Sequence, residues 1–356
     1  MLASPRRAPA GMLRPRAGFQ PLPSPEQVVT AMPPGSGMDS VGQSRDEIRA
    51  VLDGRDDRLL VIVGPCSVHD PRAALEYARW LAGQAAMLRG SLAVVMRAYV
   101  EKPRTTTGWR GLVADPRMDG SCDMTAGIMT ARALLLELAE MGMPAACEWV
   151  DPAVAPYLAD LVSLGTIGAR TVESQPHRQL ASGLPMPIAF KNGTSGNVQV
   201  AADACLAAAQ AHSFLGSAPD GRSSVITTQG NNDTCVVLRG GASGPNYRRP
   251  EVAAATEIVG RAGLPPRLII DASHGNRDGD APASAASQVA EGNPVIRGLM
   301  LESFLVGGRQ DPGNLASLTY GQSVTDPCLD LDATAAILGE LAAAVRERRA
   351  ASRQAP

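Results

Sequence analysis

The chain has 356 residues, with 33 Lys and Arg against 35 Asp and Glu, a formal net charge of -2. That balance excludes a general attraction to nucleic acid or to an anionic membrane surface. A hydrophobic content of 45% supports a sizeable core, and no apolar run reaches the roughly 18 residues that a spanning helix needs.

Residues 1–35 are rich in Pro, Ala and Arg and lack clear periodicity. They read as a tail, partly disordered, ahead of one catalytic domain over 36–356. No long apolar segment follows Arg6, Arg7, Arg14 and Arg16, so a secretory leader is not expected. Residues 44–52 read as a short helix with Ser44 as N-cap and Glu47 three positions on. Then come eight apolar, strand-like runs: 59–65, 92–99, 144–150, 166–170, 186–192, 235–240, 267–273 and 295–303. Continuous rather than alternating apolar runs, such as VIVG, are the pattern of a sheet buried on both faces. Ala- and Leu-rich helical stretches at 71–88, 125–141, 153–163, 198–211, 250–262 and 281–292 fill gaps between the strands, and a last one spans 332–348. Parallel strands need such crossovers. The alternation predicts a (β/α)8 TIM barrel with an N-terminal extension. An inserted turn or hairpin at 213–228 interrupts it between strands five and six; such segments often carry function.

Six cysteines are scattered: Cys66, Cys122, Cys147, Cys205, Cys235 and Cys328. None forms a C-x-x-C pair, and so few in so long a chain do not make a disulfide scaffold. A reducing cytoplasm is the expected compartment.

Barrel chemistry sits at the C-terminal strand ends. There the sequence places Cys66, Arg97 with Lys102, Glu148, Arg170, Lys191, Arg239, His274 and Glu302. Residues 96–111, MRAYVEKPRTTTGWRG, gather Arg97, Lys102 and Arg104 before three threonines. Arginine forks hold phosphate or carboxylate at two points, and a lysine can also donate a proton. Taken singly, each cation has an ordinary explanation as an ion pair or a solvated loop. Together they point to anionic substrates. Cys66, His274, Glu302 and Asp326 form a mixed-ligand set suited to one divalent ion, Mn, Fe, Co or Zn. His69 reads as a loop or capping residue, and His177 and His212 carry no distinctive context.

GPCSVHDP, MRAYVEKPRTTTGWRG, IGARTVESQPHRQLASGLPMPIAFKNGTSGN, VVLRGG with PNY, DASHGN, GLMLES and SVTDPC follow one another in that order. Over roughly residues 40–348 the chain resembles the type I, feedback-regulated 3-deoxy-D-arabino-heptulosonate 7-phosphate (DAHP) synthases. The resemblance implies condensation of phosphoenolpyruvate with erythrose 4-phosphate, the first step of the shikimate pathway. It gives Cys66, His274, Glu302 and Asp326 as metal ligands. It gives Arg97, Lys102, Arg170, Lys191 and Arg239 as phosphoenolpyruvate contacts, and Arg104 and Thr105 as erythrose 4-phosphate contacts. Lys102, Glu148, Lys191 and His274 are then the catalytic set, with Lys102 the proton donor and Glu148 beside the enol carbon that takes up water. The chain departs from the family pattern at GGASGPNY, where a Lys usually follows Arg-Gly-Gly, and at GGRQDP. Competing expectations are a KDO8P synthase-like condensation with arabinose 5-phosphate and a ligand-sensing barrel without turnover. The resemblance further implies a homodimer or homotetramer and an aromatic amino acid effector near Phe214 and Gly216. Gly at 216 resembles the tyrosine- or tryptophan-sensitive forms, and the wording TTQGN, DASHGN and GLMLES favours tryptophan, then tyrosine.

Overall fold

The computed structural model describes residues 18–313 and 315–354, with the backbone of Arg6–Arg7. Part of the tail expected over 1–35 falls on residues outside the described ones.

Eight parallel strands close into a barrel: β1 (Leu59–Gly64), β2 (Leu92–Arg97), β3 (Ala145–Glu148), β4 (Leu164–Ile167), β5 (Ile188–Lys191), β6 (Thr234–Leu238), β7 (Leu268–Asp271) and β8 (Ile296–Glu302). They run in sequence order around the ring, and β8 pairs with β1 to close it. Residues Leu60, Ile62, Val95, Ala146, Leu164, Ala189, Val237, Ile269 and Met300 share one buried cluster inside the ring. The opposite faces of the strands join a second cluster with the surrounding helices. A sheet covered on both faces explains why the strands read as unbroken apolar runs.

Among the described residues ten α-helices follow the chain: α1 (Pro25–Ala31), α2 (Met38–Asp53), α3 (Pro71–Leu88), α4 (Met124–Glu140), α5 (Ala155–Leu158), α6 (Gln175–Ala181), α7 (Gln199–Ala208), α8 (Arg249–Arg261), α9 (Ala281–Ala290) and α10 (Leu331–Gln354). The predicted 44–52 helix is therefore the second half of α2. Ser44 is not its N-cap: its hydroxyl bonds to Val41 O at 2.9 Å and pairs with Ser163 Oγ at 2.7 Å. α2 closes the N-terminal mouth of the barrel. Its Ile48, Val51 and Leu52 join the inner cluster, and it reaches residues just ahead of four strands. Ser44 meets Ser163 before β4, Arg49 meets Pro185 O before β5 and Asp233 before β6, and Asp53 meets Arg267 before β7. Gly54 ends the helix in the left-handed region (φ 75°), which glycine adopts without steric cost.

α1 starts with a capping box between Ser24 and Gln27. Arg132 on α4, fully buried, holds it by donating from Nε to Met32 O at 2.8 Å while its terminal nitrogens grip Asp160. The insertion between β5 and β6 is a hairpin, Ser213–Ser217 paired antiparallel with Ser223–Thr227. Its turn meets α1, where Glu26 N donates to Pro219 O at 2.9 Å. No helix among the described residues is long and apolar enough to cross a membrane.

Candidate active site

Two cavities matter, and the larger is not the one with the chemistry. The smaller, about 650 Å³, opens at the C-terminal ends of the strands. Six cations line it: Lys102, Arg104, Arg170, Lys191, Arg239 and Arg277. Glu148, Thr105, His274 and Asp326 share the same wall.

The segment after β2 is folded back on itself. Lys102 N donates to Arg110 O, and Arg104 Nε donates to Trp109 O at 2.8 Å. Arg170 Nε donates to Thr105 Oγ1 at 3.0 Å, tying the β4 end to this segment. Lys191 Nζ is 2.8 Å from Asp271 Oδ2, and both are buried. Burial opposes charge on Asp271, yet His274 and Lys191 hold it well below the usual carboxylate range.

Beside the pocket lies a group with ligand chemistry. Donor atoms of Cys66, Glu302 and Asp326 lie within 4.8 Å of one another. His274 stands at its edge, with Nε2 3.5 Å from Glu302 Oε1 and Nδ1 2.8 Å from Asp271 Oδ2. A carboxylate on one ring nitrogen is the usual way a ligating histidine is oriented. The donor set fits a metal ion. Glu302 Oε2 is buried and has no hydrogen-bond partner among the described residues, a costly state for a carboxylate oxygen unless a cation satisfies it. Lys102 reaches into the same group, 2.9 Å from Cys66 Sγ and 2.8 Å from Asp326 Oδ2. Burial opposes its charge, but Cys66, Glu302 and Asp326 raise its pKa above the usual lysine value, so it is an ammonium. Burial pushes the Cys66 thiol up to about 11, with the Glu302 charge adding to the rise.

Arg97 sits apart from the other cations. It is 1% exposed and lies beneath the pocket rather than on its wall. Its guanidinium donates to Cys66 O at 3.1 Å, lies 3.0 Å from Glu302 Oε1, and stacks 3.6 Å from the Tyr99 ring centroid. It thus orients two members of the ligand group from below.

The larger cavity, about 1510 Å³, is walled by residues 151–157, the start of α1 and the hairpin, including Phe214, Leu215, Gly216 and Ile226. Gly216 lets Ile226 pack against the hairpin backbone: a Cβ at that position would lie 2.7 Å from Ile226 Cγ1.

Between the two cavities runs the segment after β3, held by two residues that sequence reasoning passed over. Glu101 accepts from Val150 N and Asp151 N, each at 3.2 Å. His177 Nε2 lies 2.9 Å from Val150 O. Burial pushes the Glu101 carboxyl up to about 8, against its two backbone donors. From about 4.5 to about 8 the folded chain keeps a proton that the unfolded chain has lost, so stability should fall as pH rises through that window. Urea unfolding across the window checks this, and Glu101→Gln should flatten the slope.

A closed (β/α)8 barrel whose mouth joins a pocket of six cations to a Cys, Glu and Asp group of metal-ligand chemistry is the layout of an enzyme for anionic substrates. The sequence profile described as the DAHP synthetase I family matches residues 38–338, and the chain belongs to that family. It is 48% identical over 349 residues, 94% of each chain, to phospho-2-dehydro-3-deoxyheptonate aldolase of Corynebacterium glutamicum. It is 49% identical over 330 residues, 90% of this chain and 92% of the other, to the Tyr-sensitive enzyme of that name from Escherichia coli. The solved structure of the Francisella tularensis phospho-2-dehydro-3-deoxyheptonate aldolase matches with a TM-score of 0.91 at 43% identity, covering 93% of this chain and 98% of that one.

Proposed function

We propose that the chain condenses phosphoenolpyruvate with D-erythrose 4-phosphate and water, giving DAHP and inorganic phosphate at the head of the shikimate pathway. The observation that carries this is one pocket lined by six cations and continuous, through Lys102, His274 and Asp326, with the ligand group. In this reading Arg97, Lys102, Arg170, Lys191 and Arg239 hold the phosphate and carboxylate of phosphoenolpyruvate. Arg97 acts from beneath by fixing Glu302 and the Cys66 carbonyl. Arg104 and Thr105 take the sugar phosphate. Cys66, His274, Glu302 and Asp326 hold one divalent ion (manganese, cobalt, iron or zinc), which when bound acts as a Lewis acid toward the aldehyde oxygen. Lys102 gives that oxygen its proton as C3 of the enol bonds to the aldehyde carbon. Glu148 and Lys191 orient the water that adds to C2, and phosphate leaves with cleavage of its bond to that carbon. Fixing both substrates against each other supplies the proximity term.

Phosphate release from phosphoenolpyruvate should require erythrose 4-phosphate and a divalent metal, in a cytoplasmic-type reducing buffer. Release with arabinose 5-phosphate instead would favour the KDO8P-like reaction, and release with neither sugar would favour a ligand-sensing barrel.

The larger cavity is proposed to take an aromatic amino acid as feedback inhibitor, with Phe214 and Gly216 on its wall. Gly216 resembles the tyrosine- or tryptophan-sensitive forms and the wording TTQGN, DASHGN and GLMLES the tryptophan-sensitive ones, so tryptophan should inhibit most, tyrosine less and phenylalanine little. A coupling of about 1–3 kcal/mol would change substrate affinity roughly 5- to 150-fold. Initial rates at subsaturating substrate decide this, and strong inhibition by phenylalanine alone would refute it. A homodimer or homotetramer is proposed as well. The cross-strand pair Leu215 and Val225 is 80% and 74% exposed on the hairpin, apolar surface suited to a second copy. Sedimentation analysis reads the subunit number.

A further inference from the structure

We propose that Arg277 is a further substrate-binding residue, a cation at the phosphate end of the phosphoenolpyruvate subsite; this rests on the reading of the pocket as that substrate's site. The segments after β6 and β7 are pressed together through glycines. Gly240 is in the left-handed region (φ 68°), and a Cβ there would lie 2.5 Å from the Gly275 carbonyl carbon. That approach sets the turn carrying Arg277 beside Arg239. Arg277 Nε donates to Ser273 O at 2.8 Å and His274 O at 3.1 Å, so the turn that presents His274 also fixes the arginine stem. The residue lines the same pocket as Arg170 and Arg239. Its acidic neighbours in sequence do not neutralise it: Asp278 and Asp280 turn to Arg248, at 3.0 and 3.9 Å. Burial lowers the Arg239 pKa and Asp271 opposes that, while the charges of Arg170 and Arg277 lower it further. Three guanidinium groups facing one cavity repel one another until a dianion enters, and a phosphate offers each a planar acceptor edge. The enol substrate is favoured over the sugar phosphate by position. β7 adjoins β6, whereas Arg104 and Thr105 rise after β2, with β8 and β1 intervening.

An arginine that merely closes the 273–277 turn would affect stability alone, so the test separates affinity from folding. Arg277→Ala should raise KM for phosphoenolpyruvate roughly three- to tenfold, the scale of one partly solvated charge contact. The loss should fall on KM rather than kcat, leave KM for erythrose 4-phosphate in place, and shrink as salt is raised. Arg277→Lys should retain part of the affinity. Adding Ala242→Lys to Arg277→Ala should restore part of it, because residue 242 lines the same pocket on the adjoining segment. Calorimetric titration of the full chain with inorganic phosphate gives the same comparison without turnover, so a failure of the proposed reaction is told apart from a failure of this assignment. Unchanged phosphate affinity in Arg277→Ala, or a KM effect confined to erythrose 4-phosphate, would overturn it.

Discussion

Chelation should abolish turnover, and manganese or cobalt should restore it. The prediction follows from the unpaired buried oxygen of Glu302 and from donors that converge on one point. A Lewis acid contributes several kcal/mol of charge stabilisation in the transition state, so its loss is worth roughly a thousandfold or more in rate. Two variants separate metal loss from collapse of the site. His274→Ala removes an edge ligand but leaves the Lys191–Asp271 pair in place, so activity should vanish while circular dichroism stays native. Glu302→Ala removes a ligand and also strands Arg97, whose side chain is 1% exposed and paired to Glu302 at 3.0 Å. Breaking a buried pair from one side costs about 3–5 kcal/mol, so this variant should lose both metal and thermal stability. Metal content by mass spectrometry reads the first effect independently of activity. Full activity in excess chelator would sink the assignment.

Most of this arrangement is legible in the sequence, for a physical reason. A barrel strand is buried on both faces, so a charged or ligating residue at the end of an apolar run stands out against it. Lys191, Arg239, His274 and Glu302 were readable that way. What stayed hidden depends on stagger and on side-chain direction. Arg97 looks like Arg170 in sequence, yet one lies beneath the pocket and the other on its wall. Asp271 had a usable signal, since an acid three residues before His274 at a strand end suits an orienting partner. Glu101 had none: in KPRTT-type text it reads as one more loop charge, and only the fold brings it to Val150 and Asp151. His177 was hidden likewise. Arg277 was hidden because it lies beyond the apolar run, in a turn that only the fold brings beside Arg239. α2 was read short because Ser44 and Glu47 mimic a capping box in the middle of a helix whose real start, Gly37, carries no side-chain cap.

Replacing Lys102 by alanine should lower kcat by about 10²–10⁴, the usual contribution of a positioned acid or base. Among the described residues, Lys102 is the one cation that lines the substrate pocket and also contacts the side chains of the Cys, Glu and Asp group, at Cys66 and Asp326. In the proposed reaction the aldehyde oxygen would face the ligand group and its carbon the enol, so a proton for that oxygen would come from this junction. The charge also serves ground-state binding, so affinity for phosphoenolpyruvate should weaken together with kcat. Loss of both parameters distinguishes Lys102 from Arg239, whose removal should raise KM and spare the chemical step. Lys102→Arg is the informative control. It keeps a cation in the pocket, but the larger, planar guanidinium cannot place a proton where the Lys102 ammonium stands between Cys66 and Asp326. Affinity should therefore recover in Lys102→Arg while kcat stays low. Metal content must be measured in both variants, since Lys102 offsets the negative charge of the ligand group and its removal changes how tightly a cation is held. Single-turnover rates at saturating substrate and matched metal occupancy then report the proton transfer itself. An unchanged kcat in Lys102→Ala would remove this residue from the chemistry and leave it a binding role alone.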